Sequence, residues 1–147
     1  MKKIAIPVLT VAGLCLATSA GFAQHAGDIE LEVVDGKIVA EHSVYGAEFG
    51  EFGPSFTDDP GFDSGIGAFP VPSQVGFNFL DALRKWNGSD FYSLADERLQ
   101  LSKGLFSELT PLLPGFAPGF SLPVAVDGSW HHHLDFNLQA PASPGIY

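Results

Sequence analysis

The 147-residue chain carries 17 acidic residues against 7 lysines and arginines, a formal net charge of −10. Such a surface repels nucleic acid and anionic membranes and attracts cations. Thirteen phenylalanines, 17 glycines and 11 prolines favour many turns between aromatic strands. An all-β fold, an antiparallel β-sandwich or jelly-roll-like arrangement, is therefore expected rather than a helical bundle.

The chain opens with Met1-Lys2-Lys3, runs apolar from Ile4 to about Ala17, and continues through small residues to Ala23. That order of charge, apolar core and small residues is the pattern of a secretory signal peptide, and the apolar run is too short for a comfortable membrane span. Residues 1–23 are expected to leave, and 24–147 to form a single β-sandwich domain of an exported protein in the periplasm, outside the cell or at its surface. No stable membrane insertion is expected after cleavage. Cleavage removes Lys2, Lys3 and Cys15, the only cysteine. A metal bound by the mature chain would need nitrogen and oxygen ligands.

Asp28 to Val34 alternates acidic and apolar residues, Asp35-Gly36 follows, and a second alternating run spans Lys37 to Val44. Asp-Gly between two such runs predicts a hairpin with Val34 opposite Lys37 and Ile29 opposite His42. Residues 46–73 read as loop. Within them, Pro60-Gly61 predicts a type II turn. Asp58, Asp59 and Asp63 gather three carboxylates there, but their spacing is not that of a calcium-binding loop, and a capped surface turn is the favoured reading. Val75 to Leu80 predicts a strand, as does the stretch from about Arg98. Residues 111–123 read as a long connection, and Val124–Val126 as a short strand. No phosphate-binding glycine loop and no nucleophile elbow is present. The end at Gly145-Ile146-Tyr147 reads as the start of another strand, which fits either a truncated chain or a freely secreted protein.

The densest chemistry lies in Trp130-His131-His132-His133-Leu134-Asp135-Phe136-Asn137-Leu138. A strand has period 2, so His132, Leu134, Phe136 and Leu138 fall on one face and His131, His133, Asp135 and Asn137 on the other. Residues i and i+2 stand roughly 6–7 Å apart at the Cα, close enough for both imidazoles to reach one metal ion. His131 and His133 form the expected pair, with Asp135 orienting an imidazole. In a competing arrangement His25, His42 and His132, which are in phase with apolar rows, form a site inside the sandwich. The expected inward residues are Ile29, Leu31, Val33, Phe77, Phe79, Leu134, Phe136 and Leu138.

The opening His25-x-x-Asp28-Ile29, the stretch Thr57-Asp58-Asp59-Pro60-Gly61-Phe62-Asp63, Trp86-Asn87-Gly88 and the stretch His131-His132-His133-Leu134-x-Phe136 together resemble the exported, zinc-uptake-regulator-controlled proteins that usually end in a PEP-CTERM sorting tail. The resemblance covers most of the mature chain and implies a secreted all-β domain that handles metal, with His25, His42, His131, His132 and His133 as candidate ligands. This chain departs from that pattern in lacking the Pro-Glu-Pro tail and apolar anchor. The expected function is a metal carrier or buffer for zinc, with copper as second choice. The rivals are a cupin-like metal-dependent enzyme and a sugar-binding or matrix module using Trp86 and Trp130 as stacking platforms.

Overall fold

The computed structural model describes residues 27–50 and 53–147; the expected signal segment and His25 lie outside them. Among the described residues every regular element is a β-strand, so the expected all-β class holds. Strands β1 (Ile29–Val34) and β2 (Lys37–Ala40) form the expected hairpin. Val34 faces Lys37, and Asp35 and Gly36 both take positive φ, 51° and 74°, as a two-residue type I′ turn requires. The ladder ends at Leu31–Ala40 and does not continue to an Ile29–His42 pair. Ile29 pairs on its other edge instead, parallel to Phe62 of β4 (Phe62–Asp63). The first sheet thus runs β2-β1-β4.

A second sheet has the order β3-β11-β8-β9, from β3 (Phe56–Thr57), β11 (Asp135–Leu138), β8 (Leu99–Lys103) and β9 (Phe106–Leu109). Two strand pairs complete the fold: β5 (Gln74–Phe79) with β10 (Ala117–Pro123), and β6 (Arg84–Lys85) with β7 (Ser93–Leu94). Apolar residues from the three larger groups meet in one core: Leu31, Val75, Phe79, Leu101 and Leu122, with Phe69, Val124, Trp130 and Leu134 from connections. Leu134 is the most enclosed, 1% exposed.

Most of the expected inward row is confirmed. Leu31, Phe79, Leu134 and Leu138 are buried, and Ile29, Phe77 and Phe136 pack against the core. Val33 is not inward: it is 44% exposed, because the hairpin overhangs the core beyond Leu31. Three further expectations are corrected. Residues 117–123 are a strand, not part of a connection. Pro118 and Pro123 sit in a two-stranded sheet whose outer edge needs no ladder donors, the place where proline is tolerated. Val124–Val126 is not a strand; Val124 enters the core and Ala125 opens a turn closed by Gly128 N–H donating to its carbonyl. Gly61 does not take positive φ, so Pro60-Gly61 is not a type II turn. Its carbonyl instead accepts from Ile29 N–H at 2.8 Å, which seats this stretch beside β1.

Candidate metal centre

The His-rich stretch is only partly a strand. β11 begins at Asp135, and the residues before it are held by a single bridge in which Phe62 and His132 exchange backbone hydrogen bonds of 2.8 and 2.9 Å. That bridge makes β4 the middle of a three-segment patch, with β1 on one edge and His131–His133 on the other. The registers follow. Ile29, Phe62 and His132 lie in line. One step away in each direction are the rows Asp28–Gly61–His133 and Glu30–Asp63–His131. Alternation puts both rows on the face opposite Phe62 and His132.

On the other face Phe62, Trp130 and His132 pack edge-on, with ring centroids 5.9 Å (Phe62–Trp130) and 4.9 Å (Trp130–His132) apart. Trp130 is anchored by its N–H donating to Ser64 Oγ (2.8 Å) and its indole N–H donating to the Leu122 carbonyl (3.3 Å). It is 4% exposed, which removes it as a stacking platform for sugar. Burial pulls the His132 imidazole below the ordinary histidine value, and the Lys103 cation adds to that.

The polar face gathers the candidate ligands. One side-chain atom each from Asp28, His131 and His133 lies within 4.8 Å of the others. The imidazole centroids of His131 and His133 are 5.4 Å apart. Gly61 makes the convergence possible: it stands between Asp28 and His133 and supplies no side chain. Its amide donates to Asp28 Oδ1 at 3.0 Å and fixes that carboxylate. Asp28 Oδ2 is turned toward His133 Nε2 at 3.6 Å, and the Asp28 side chain is only 5% exposed. That oxygen is buried and makes no hydrogen bond. A buried carboxylate oxygen in this condition is costly unless a partner meets it, and a cation is one partner that would. Two ligand atoms on one tetrahedral zinc stand about 3.3–3.5 Å apart, close to the 3.6 Å between Asp28 Oδ2 and His133 Nε2.

The far side of each imidazole is held by oxygen. His131 Nδ1 is 3.3 Å from Asp63 Oδ1. His133 Nδ1 is 3.1 Å from the Asp58 carbonyl and 3.7 Å from Asp59 Oδ1. Acceptors at Nδ1 keep the proton there and leave Nε2 as the basic nitrogen, which is how a metal-binding imidazole is oriented. Asp135 does not fill this role: among the described residues no ion pair joins it to a histidine, and it pairs with Ser102 at the start of β11. The aspartates weighed for calcium are thus engaged with the imidazoles: Asp59 and Asp63 through carboxylates, and Asp58 through its carbonyl.

Of the histidines singled out from sequence, His131 and His133 are brought together. His132 faces away, and His25 lies outside the described residues. His42 is exposed beside Glu41 (3.8 Å), its amide donating to Tyr45 Oη; it does not belong to the cluster. Sequence reading missed Asp28 as a candidate ligand and Asp63 as the group beside His131. The one signal for Asp28 was its place in the His25-x-x-Asp28 motif. Comparison with protein-family models, with curated proteins and with solved structures gives no match. No helix among the described residues is long and apolar enough to cross a membrane.

Proposed function

We propose that this is an exported metal-binding protein, a carrier or buffer that holds zinc through Asp28, His131 and His133. The observation that carries the proposal is Asp28 Oδ2: a buried carboxylate oxygen without a hydrogen bond, aimed at an imidazole whose other nitrogen is already oriented by oxygen acceptors. Two imidazoles and one carboxylate suit zinc, with copper as the competing divalent ion. The acidic surface favours cation capture. The likeness of the Asp28 and His-triplet motifs to exported zinc-regulated proteins points the same way.

A second reading is favoured by one observation. Three candidate ligands among the described residues leave a fourth position on zinc, which is the pattern of catalytic rather than structural sites. A cavity of about 670 Å³ lined by Gly27, Phe49, Thr57, Asp59 and Pro60 lies beside the cluster. On that reading the protein is a metal-dependent hydrolase.

Titration calorimetry with zinc separates these readings from a purely structural role. Asp28→Ala and the His131→Ala, His133→Ala double substitution should abolish binding, while His132→Ala and His42→Ala should leave it intact. The proposal fails if the intact protein binds neither zinc nor copper more tightly than roughly micromolar, about −8 kcal/mol.

A further inference from the structure

The β1–β2 hairpin leaves a sheet edge with a particular chemistry. Among the described residues β2 ends its sheet, and all four of its residues are exposed. The exposure includes Ile38 at 49% and Val39 at 39%. In an antiparallel ladder successive residues alternate between bonding toward one neighbour and toward the other. Val34 and Lys37 close the two-residue turn as a bonded pair, and Glu41 N–H donates to the Glu30 carbonyl at 3.3 Å. Lys37, Val39 and Glu41 therefore aim their backbone groups at β1. Ile38 and Ala40 aim theirs outward, offering two donors and two acceptors to an incoming strand.

Side chains on the same strand sort by face. Ile38 and Ala40 share the apolar face with Val33 and Leu31, their partners across the hairpin. Lys37, Val39 and Glu41 share the other face with Val34, Glu32 and Glu30. Glu41 there lies across from Glu30, with Glu32 next in the row: three carboxylates in a group, and Lys37 at the far end of its own strand. Like charges opposite each other on a sheet are destabilising, and an opposite charge brought to them is stabilising.

We propose that β2 is a dimerisation edge, at which two copies of this chain pair antiparallel about a two-fold axis through Val39. In that register Ile38 is opposite Ala40 of the partner subunit, so the outward donors and acceptors meet in four hydrogen bonds. Lys37 is opposite Glu41 of the partner subunit, twice by symmetry, and brings a cation to the acidic group. The other two-fold registers that match the backbone phase do worse. Centring on Ile38 places Lys37 against valine, and centring on Ala40 places Glu41 against valine. The product is a continuous six-stranded sheet, β4-β1-β2 followed by the same strands reversed. Pairing also covers an exposed edge that would otherwise template unspecific association.

Cysteine cross-linking in a Cys15→Ser background at 0.15 M salt reads the register directly. Residues facing each other in a non-bonded antiparallel pair are about 4.5 Å apart at the Cα, within disulfide range. Val39→Cys should form a symmetric disulfide dimer under mild oxidation. Ile38→Cys and Ala40→Cys should not, since each residue lies two positions out of line with its own copy. By sedimentation, Lys37→Glu should weaken association at least about tenfold, and Lys37→Glu combined with Glu41→Lys should restore it. A chain that stays monomeric at millimolar concentration overturns the proposal. So does cross-linking at Ile38 or Ala40 in place of Val39, or a dimer indifferent to Lys37→Glu.

Discussion

Gly61→Ala adds one methyl group at the point where the proposed ligands converge. Gly61 has no positive φ, so alanine fits its backbone, and the cost is steric alone. The new Cβ would lie 2.7 Å from His133 Cε1 and Nε2 and 2.8 Å from Asp28 Oδ1. Ordinary contact begins near 3.4 Å, so the imidazole and the carboxylate must each retreat by about 0.6–0.7 Å. Metal–ligand distances tolerate about 0.2 Å. Overpacking of this kind costs about 1–3 kcal/mol, and charged to the metal site it becomes roughly a 5- to 150-fold loss of zinc affinity. Calorimetric titration measures that loss, with thermal melting of the metal-free protein as the check on folding. Gly65→Ala is the matched control, since nothing lies within 4 Å of a Cβ there. Zinc affinity within twofold of the parent in a folded Gly61→Ala protein would refute the convergence of Asp28 and His133 on one ion.

Asp63→Ala should lower zinc affinity about 10- to 100-fold by releasing His131 from its orienting carboxylate, read in the same titration. Leu134→Ala should cost about 2–5 kcal/mol, since it hollows the most enclosed point of the core, and denaturant melts should show a lower midpoint at unchanged slope. Glu97 is buried, which alone would raise its pKa, but the Ser143 amide (2.9 Å) and hydroxyl hold it down to about 2 from 4.5. A depressed folded value means stability that is present above pH 4.5 and lost as pH falls toward about 2. Glu97→Gln should flatten that acid loss in melting temperatures taken from pH 5 to pH 2.

Local pattern carried much of the fold. The Asp35-Gly36 turn fixed the hairpin register to the residue, because turn chemistry and alternation act within a few positions. β5 and β8 lie where period 2 placed them. β10 escaped because prolines and glycine broke its alternation, and its pairing with β5 shifts register between Pro118 and Ser121. The two-residue strands β3 and β4 are too short to leave a period at all. The site divides in the same way. His131 and His133 followed from their i, i+2 spacing, a local property. Asp28 and Asp63 depended on β4 lying between β1 and the His stretch, and no window of sequence contains that topology.

The sequence distance between the two halves of the site has a consequence for the native chain. Asp28 stands at the entry of β1, the histidines lie near the far end, and an ion joining them closes a loop of roughly 100 residues; a covalent link over such a span removes on the order of 4–5 kcal/mol of chain entropy from the unfolded state. The part it would restrain is the N-terminal hairpin, which outside the core contacts of Leu31 and Ile29 is attached through two residue pairs with β4 and the Gly61–Asp28 hydrogen bond. In metal-free monomer the amides of β1 and β2 should exchange with solvent first, and a protease should nick the hairpin before the rest. Filling the site would silence both. The hairpin would then serve as a visible flag for whether the protein is loaded.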